Sequence, residues 1–514
     1  MALLSLFLQS LSSLLLITLF TLTWEYIKSP LKSIPGPFFA KFTNLWRFFD
    51  TYAGRPELTQ RILHERYGPA VRLGPNVVSL NDPSLVRTIY NTKADFVKTK
   101  FYDVNATKVG NTVIQNVFST QSNEYHSQLL RPIGKFYKMS SLLPIQNLVS
   151  GTIETFCRRI EEEYIDGPNA GKTCKMDEWM LFFAWDVIGQ LTFSKPMGFL
   201  EKAGDDTGIL ESADKALDYF ATVGQIPELD QWLAKNPIMP IGPPSFEAQA
   251  ILCAQQSIAR QQGSDGKDKD SRQKDMLDSF IEIKNANPEL IDDNGIVSAL
   301  MVNIFAGADT TAILLRSVVY YTLKNPKVYR RLQRELDAAN LAQPISYEDA
   351  SSVAYLDAVV KEASRMHPGV GLLLERVVPE GGLTLPDGTV IPPGTTVGMN
   401  PWVVHQNKTI FGQDSESFNP DRWLRNIDDG ETEEAFQARL TAMKQADLTF
   451  GAGNRICLGR NVSMLETYKI ISTLFLKYDM SFVDPHKVWH VQNSWFVRQS
   501  GIDVKIRRRA PAAM

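Results

Sequence analysis

The chain has 514 residues, of which 44% are hydrophobic and 22% charged, and its 54 Lys and Arg against 57 Asp and Glu give a formal charge of -3. This ordinary globular composition excludes disordered and low-complexity chains. The near-neutral balance gives no electrostatic footprint for nucleic acid, so we expect no nucleic-acid partner. Four cysteines without a CxxC pair are too few for a disulfide framework, which indicates a reducing compartment.

The N-terminal segment is predicted to be a transmembrane anchor. Residues 2–24 carry no charged side chain, and a helix of that length spans about 34 Å, enough to cross a hydrocarbon core of about 30 Å. The first basic residues, Lys28 and Lys32, follow the apolar run, so the positive-inside rule places the rest of the chain in the cytosol. A cleaved signal peptide and a buried core helix are the alternatives.

The remainder is predicted to be a hinge followed by one catalytic domain. Residues 25–37 hold three prolines within eight residues, which end a helix and favour a stiff, extended connector. Residues 38–514 show no internal repeat, and their patterning predicts a mainly helical α+β body with small β-sheets. Short strands are expected near Val71–Leu80 and Leu383–Val397, and surface loops at Gly263–Asp275 and Ile427–Asp447.

The most informative segment is FGAGNRICLG, residues 450–459. Interpretation as a dinucleotide-binding GxGxxG loop fails, because Ile456 stands where the third glycine is needed. What remains is a glycine-rich loop that places Cys457 before a helix predicted over Asn461–Tyr478. A helix N-terminus stabilises a thiolate through its dipole and unpaired N–H groups, and such a thiolate is a suitable axial ligand for haem iron.

The other residues of this loop suit the same cofactor. Gly453 and Gly459 would let the backbone pass close to a flat macrocycle. Arg455 could form a charge-assisted pair with a haem propionate, and Phe450 would shield the sulfur from water.

The pattern FxxGxRxCxG resembles the haem-binding loop of the cytochrome P-450 superfamily, the haem-thiolate monooxygenases. The resemblance implies the P-450 fold behind an N-terminal transmembrane helix, haem b (iron protoporphyrin IX) as cofactor, and Cys457 as the axial ligand of its iron. An isolated cysteine would instead be a buried small hydrophobic residue. Cys157, Cys174 and Cys253 are interpreted in that way.

An ExxR element, Glu362 to Arg365, lies on a helix predicted to begin near Tyr355 and end before Pro368. Taken alone, an i, i+3 pair of this kind is a surface ion pair of little value. The resemblance makes it a buried structural cluster joined by Arg422, which locks the core that holds the cysteine loop.

A long helix predicted over residues 293–324 carries the motif AGADTT. The bland interpretation is a tight helix crossing at Gly307, which costs about 1 kcal/mol relative to Ala, with an incidental polar pair. The resemblance to the oxygen-activating helix of the family implies that Ala306 and Gly307 clear space above the iron. It also implies that Thr310 hydrogen-bonds dioxygen or an ordered water, and that Asp309 relays protons.

Two further residues are carried over from the family for the haem propionates. Arg376, eight residues after Pro368, lies where the family has a propionate-binding arginine. His126 lies where a Trp or His contacts the other propionate. The basic residue that usually follows four positions later is replaced by Leu130, with Arg131 after it, so a surface histidine is the alternative for His126.

Partners and substrate follow from what the chain lacks and what it resembles. It has no flavin or nicotinamide motif, so electrons are expected from a separate membrane-bound NADPH-dependent reductase, with O2 as cosubstrate. Residues 63–76 resemble the fungal microsomal branch that includes pisatin-demethylase-like enzymes. That resemblance implies the endoplasmic reticulum membrane, a cytosolic catalytic domain and a secondary-metabolite pathway. Detoxification of a xenobiotic or plant defence compound is the alternative.

Substrate choice is assigned to four segments that mix apolar residues with little charge: Tyr102–Phe118, Tyr219–Pro244, Met301–Phe305 and Gly369–Leu374. They predict a hydrophobic small molecule, although core packing would give the same composition. Hydroxylation, demethylation, epoxidation and oxidative cyclisation all stay open.

Two other classes of protein are weighed against the monooxygenase. One is a haem-thiolate isomerase or lyase that needs no reductase, and the other is a non-catalytic haem carrier or membrane scaffold. Asp309 and Thr310 argue against both, because neither class needs protons delivered to dioxygen.

Overall fold

The computed structural model describes residues 2–93, 95–109, 112–243, 247–267 and 273–510. Parts of four predicted segments therefore lie outside the described residues, namely residues 110–111, Pro244, residues 268–272 and residues 511–514. The helices of the described residues are α1 Ala2–Lys28, α2 Leu45–Tyr52, α3 Pro56–Tyr67, α4 Val86–Ile89, α5 Asn123–Ile133, α6 Met139–Leu142, α7 Gln146–Ile160, α8 Met176–Phe193, α9 Phe199–Lys202, α10 Ile209–Val223, α11 Glu247–Gln262, α12 Met276–Ala286, α13 Asp293–Lys324, α14 Pro326–Ala339, α15 Tyr347–Ser352, α16 Ala354–Met366, α17 Pro401–Val404, α18 Lys408–Phe411, α19 Glu433–Ala446 and α20 Arg460–Lys477.

The strands are short and form small separate sheets. They are β1 Ala70–Gly74, β2 Val77–Leu80, β3 Thr107–Val109, β4 Thr112–Ile114, β5 Cys174–Lys175, β6 Arg376–Val377, β7 Leu383–Thr384, β8 Val390–Ile391, β9 Thr396–Gly398, β10 Tyr478–Phe482, β11 His490–Ser494, β12 Phe496–Ser500 and β13 Asp503–Arg508. One sheet has the order β1-β2-β9-β6, another has the order β10-β13-β5, and three hairpins pair β3 with β4, β7 with β8 and β11 with β12. The prediction of a mainly helical α+β body with small sheets is confirmed.

Helix α13 is the central element of the body. It packs against α8, α11, α16 and α20, and its buried side chains include Leu300, Leu315 and Val318. The helix begins where the Asp292 carboxylate accepts a bond of 2.8 Å from the Gly295 N–H, and it ends before Pro326. Among the described residues α13 meets the length and hydropathy of a membrane span, but 56% of its most apolar stretch is buried, so it is a core helix.

Most residues of the N-terminal helix α1 whose burial the structure describes are exposed, whereas the segment after the helix rests on the body. Apolar side chains of α1 such as Phe7, Ile17 and Phe20 have no cover. After the helix ends at Lys28 the chain turns, and Leu31 and Ile34 are buried in a core cluster beside β2.

One predicted loop is wrong. Residues 427–447 were expected to form a surface loop, but they contain the 14-residue helix α19, whose first turn is capped by the Thr432 hydroxyl accepting from the Ala435 N–H at 3.2 Å. Met443 and Ala446 are its buried residues. A helix with so narrow an apolar face has a polar composition that resembles a loop.

Candidate haem site

The loop before α20 is built by two glycines and three backbone hydrogen bonds. Gly451 and Gly453 have φ of 68° and 67°, a region that favours glycine. The Gly451 N–H donates to the Leu448 carbonyl at 2.9 Å, and the Ile456 N–H donates to the Gly453 carbonyl at 3.3 Å. The Cys457 N–H donates to the Phe450 carbonyl at 2.8 Å, which closes the loop over the phenylalanine.

The position of Gly453 has a local reason as well. A Cβ at this residue would lie 2.2 Å from the Tyr90 carbonyl oxygen and 2.5 Å from that of Asn91. Gly453 therefore allows close approach to the backbone of residues 90–91. A Cβ at Gly459, directly before α20, would meet nothing within 4 Å, so this glycine borders open space.

The Cys457 side chain lies deep in the protein but faces open space. Burial raises the pKa of its thiol, while hydrogen bonds from the backbone N–H groups of Gly459 and Arg460 lower it. These donors belong to the first turn of α20, as the sequence predicted for a thiolate at a helix N-terminus. The Arg460 guanidinium lies 5.9 Å from the centre of the Phe450 ring.

The middle of α13 carries an exposed position. Ala306 is exposed although the helix is otherwise largely buried, and Thr310 is half-buried one turn later. The Thr310 hydroxyl donates to the Ala306 carbonyl at 2.6 Å, so its oxygen keeps lone pairs to accept another bond. Because α20 packs against α13, we infer that Ala306, Thr310 and Cys457 border one cleft.

For Gly307 the tight-crossing interpretation is the correct one. A Cβ at this position would lie 2.8 Å from Ile188 of α8, so its small size lets the two helices approach. Asp309, two residues later on the helix, is buried. Its Oδ1 accepts a hydrogen bond of 3.0 Å from the Trp185 indole N–H of α8.

Four basic side chains from distant parts of the chain gather beside the loop. Arg376, Arg455, His126 and Lys98 are buried or half-buried, and the charges of the two arginines and Lys98 act on one another or on His126. Burial and the Arg376 charge lower the pKa of Arg455 to about 10, and burial with the charges of Arg455 and Lys98 lowers that of His126 to about 4. Burial of His126 excludes the surface alternative.

This cluster lacks a balancing anion within the described residues. Arg455 donates to the Asn123 side-chain oxygen at 2.9 Å, but its Nη1 is buried without a partner. Lys98 Nζ donates to the Phe118 carbonyl at 2.6 Å, and Arg376 Nη1 donates to a backbone carbonyl at 2.8 Å. No described carboxylate pairs with any of the four. Buried cations without counter-charge are costly, so the residues present fit the two propionates of a haem.

Lys98 was missed by the sequence prediction. It stands in the segment Phe96-Val97-Lys98-Thr99-Lys100 beside the exposed Lys100, and nothing in that spacing separates the two lysines. The structure separates them, because Lys98 is buried with its Nζ 4.1 Å from the centre of the Tyr102 ring.

We predict that Lys98→Met weakens haem retention by about tenfold, since a hydrogen bond to a charged group contributes about 1.5 kcal/mol or more. The rate of haem transfer to apomyoglobin measures it. Lys100→Met is the matched control and should behave as the unmodified protein. Equal transfer rates for both variants would contradict the assignment of Lys98 to the propionates.

The ExxR cluster is buried, as the resemblance implied. The Glu362 carboxylate accepts from Arg365 Nε at 2.9 Å and Nη2 at 2.7 Å, and from Arg422 Nε at 3.3 Å. The Asn419 backbone N–H at 3.0 Å and the Trp423 indole N–H at 2.8 Å complete its shell. Both carboxylate oxygens are thus saturated in a dry environment.

His405, also missed from sequence, connects this cluster to the cysteine loop. Its Nδ1 lies 3.3 Å from the Arg365 carbonyl oxygen, and its Nε2 accepts the Leu448 N–H at 2.8 Å. These contacts require a neutral ring with the proton on Nδ1. Burial lowers the pKa of His405 to about 4, although the nearby Asp447 carboxylate acts in the opposite direction.

We predict an acid-sensitive fold because His405 is neutral when folded but takes a proton near pH 6.5 when unfolded. The folded pKa is the lower one, so this stability is present above pH 6.5 and is lost as the pH falls towards 4. At pH 5 the loss is about 2 kcal/mol for this side chain. The urea midpoint at pH 7.5 and pH 5 measures it. His405→Gln should flatten the dependence, and the exposed His486→Gln should not; equal slopes would contradict this origin.

A helical body of this topology around a cysteine loop, a buried ExxR cluster and a group of basic side chains without a carboxylate partner is typical of a haem-thiolate protein. The cytochrome P450 family model matches residues 30–505, and the chain belongs to that family. It is 40% identical to cytochrome P450 monooxygenase cfoH of Aspergillus candidus over 485 residues, covering 94% of this chain and 89% of that protein. It is 36% identical to cytochrome P450 monooxygenase cicH of Emericella nidulans over 489 residues, covering 94% and 95%. It is 38% identical to cytochrome P450 monooxygenase pkfB of the same fungus over 483 residues, covering 93% and 92%.

The prediction of a P450 monooxygenase is therefore confirmed, and haem b is its cofactor. Such an oxidoreductase uses O2 and a redox-partner reductase to oxidise a small molecule.

Proposed function

We propose that this monooxygenase is a membrane-anchored fungal enzyme that oxidises a hydrophobic small molecule in a secondary-metabolite pathway. The observation that carries the proposal is a buried aromatic cluster, two rings of which, Tyr102 and Phe118, contact Lys98 of the candidate haem site, in a chain whose relatives are fungal monooxygenases. The oxidation would be a hydroxylation, demethylation, epoxidation or oxidative cyclisation.

In this proposal two groups of residues hold the haem, one at its iron and the other at its propionate edge. Bound haem supplies the activation of dioxygen. Cys457 would ligate the iron, Phe450 would shield the sulfur from water, and Gly459 would leave room for the macrocycle. At the other end Arg455, Arg376, His126 and Lys98 receive the propionates, with Gly453 shaping the loop that carries Arg455. Glu362, Arg365 and Arg422 act as structural residues that keep the loop in place.

Asp309 and Thr310 are the proposed catalytic residues. Thr310 faces the cleft with acceptor capacity on its hydroxyl, so it can hold a water or dioxygen in place. Asp309, buried beside it on the helix, can bind and release a proton at neutral pH because burial raises its pKa to about 6. An isomerase or lyase that needs no reductase is the second candidate for the chemistry, and NADPH dependence separates the two.

The substrate region is proposed to be apolar and aromatic. Phe101, Tyr102, Phe118, Phe220 and Trp495 form one cluster, with ring centroids 4.8 to 5.9 Å apart. Three of the segments predicted to select substrate meet here, Tyr102–Phe118, Tyr219–Pro244 and Gly369–Leu374, together with the turn after β11 that the sequence did not single out. Such a wall favours a hydrophobic molecule.

The proposed domain arrangement is an anchor at residues 2–24, a hinge at 25–37 and a catalytic domain at 38–514, facing the cytosol from the endoplasmic reticulum. The exposed apolar side chains of α1, such as Phe7, Ile17 and Phe20, support the anchor. Phe39 and Phe49, after the hinge, and Trp232 and Ile238, after α10, are also exposed, and α2 packs against α10. A lipid surface would cover these exposed side chains after the hinge and after α10.

Membrane anchoring is tested by alkaline carbonate extraction of microsomes from cells that express the protein. The full chain should stay in the pellet, and a chain lacking residues 2–28 should be released. Release of the full chain would contradict a spanning anchor.

The reaction is tested by reconstituting the full chain with an NADPH-dependent reductase and screening hydrophobic fungal metabolites. A substrate should perturb the haem spectrum and give an oxygenated product that requires both NADPH and O2. Product formation without NADPH would favour the isomerase or lyase, and turnover restricted to plant defence compounds would favour detoxification.

A further inference from the structure

Asp309 is held by one direct side-chain contact that belongs to a different helix. Trp185 of α8 is fully buried, and its indole N–H donates to Asp309 Oδ1 at 3.0 Å. Close approach of Ile188 to Gly307 fixes the spacing of the two helices at this point. An indole N–H is a donor only, so the contact can neither take up nor supply a proton itself.

The charges that act on Asp309 lie on three elements. Arg316 is on α13 itself, Asp214 on α10 and Arg498 on β12, and all three influence the carboxyl. Arg316 is buried and donates to the Asp177 carbonyl at 2.8 Å. Burial and the Asp214 charge raise the pKa of Asp309, whereas the Trp185 bond and the two arginines lower it.

One side of this group of charges reaches solvent. The Arg498 guanidinium forms ion pairs with both Asp214 and Asp218. Exposure rises from the buried Asp309, through the Arg498 side chain at 14%, to Asp214 at 54%. The direct contact of Asp309, to Trp185, is buried on both sides.

We propose that Trp185 is a positioning residue for Asp309, which it holds in place through its indole N–H. The inference rests on the proposed relay function of Asp309.

Chemically, the indole N–H occupies Oδ1 and leaves Oδ2 as the oxygen that binds the proton. Uptake of a proton converts the carboxylate to the acid, and release of that proton restores the carboxylate. No bond between heavier atoms changes. The indole bond favours the carboxylate, which returns the group to its receptive form, while the Asp214 charge favours the acid.

Trp185 and Asp214 thus shift the pKa of Asp309 in opposite directions, which can be tested. The infrared carbonyl band of protonated carboxyl groups is followed from pH 5 to 8 on the ferric holoenzyme, with the Asp309 band assigned by its loss in Asp309→Asn. Trp185→Phe, which keeps the ring and removes the donor, should raise the titration midpoint by about one pH unit. Asp214→Asn should lower it. Asp218→Asn is the matched control, because Asp218 pairs with the same arginine, and it should move the midpoint less than Asp214→Asn.

Midpoints that move in these opposite directions support the inference, and an unmoved midpoint in Trp185→Phe overturns it whatever the enzyme's turnover. A second measurement keeps the relay itself separate. The pH at which product yield per NADPH is half-maximal should move with the infrared midpoint. If the infrared midpoints move while that yield profile does not, the contact stands but the role of Trp185 in positioning Asp309 for the relay is refuted.

Discussion

Replacing Glu362 by alanine is expected to abolish haem incorporation. The Glu362 carboxylate accepts from two buried arginines, an indole and a backbone N–H, so its removal leaves Arg365 and Arg422 as buried charges without this partner. Such a loss typically costs about 3–5 kcal/mol, a large share of the stability of a domain. The ratio of haem to protein after purification measures the effect.

The control for this variant is Glu335→Ala. Glu335 also pairs with an arginine, Arg331, at 3.5 Å, but its side chain is 46% exposed, so the change should cost about 0.5 kcal/mol and leave haem content unchanged. Because His405 links Arg365 to Leu448 in the cysteine loop, the damage at Glu362 should appear at the haem. Full haem content in Glu362→Ala would refute the structural role.

Thr310→Ala is expected to keep haem content and the haem spectrum yet divert most reducing equivalents to hydrogen peroxide. The variant lacks the hydroxyl that we propose holds water or dioxygen in place, so proton delivery to dioxygen should fail. We expect the yield of product per NADPH to fall by about tenfold or more. Peroxide and product are measured in the same assay with a surrogate substrate.

Thr310→Ser is the matched control, since it keeps the hydroxyl, and its product yield should stay close to that of the unmodified enzyme. An unchanged yield in Thr310→Ala would contradict the relay. The result would leave the haem-thiolate assignment intact, because that depends on Cys457.

Elements with a strong local signal were predictable from sequence. The bounds of α13, the ExxR helix α16 and the helix after Cys457 agree with the predictions within one or two residues. Two of them end next to a proline, Pro326 after α13 and Pro368 after α16. Helix α19 was not predictable because it buries Met443 and Ala446 and little else, so its hydrophobic period is weak.

The residues missed at the site share a different cause. Lys98, His405, Trp185 and Trp495 gain their setting from contacts with partners far away in the chain, which no local pattern reveals. Trp495 has a φ of 75°, an uncommon value for a side chain of this size, and the close turn between β11 and β12 imposes it. Gly307 had two interpretations in the sequence, and only its distance from Ile188 decided between them.

Ligation of haem iron by Cys457 is the central claim, and the carbon-monoxide difference spectrum of the reduced full chain tests it most directly. Cys457→Ala is compared with Cys253→Ala, which alters a buried cysteine outside the site. We predict a strongly red-shifted Soret band in the unmodified protein and in Cys253→Ala, and its loss in Cys457→Ala. An unshifted band in freshly prepared unmodified protein, or a red-shifted band that survives in Cys457→Ala, would refute ligation of the iron by Cys457.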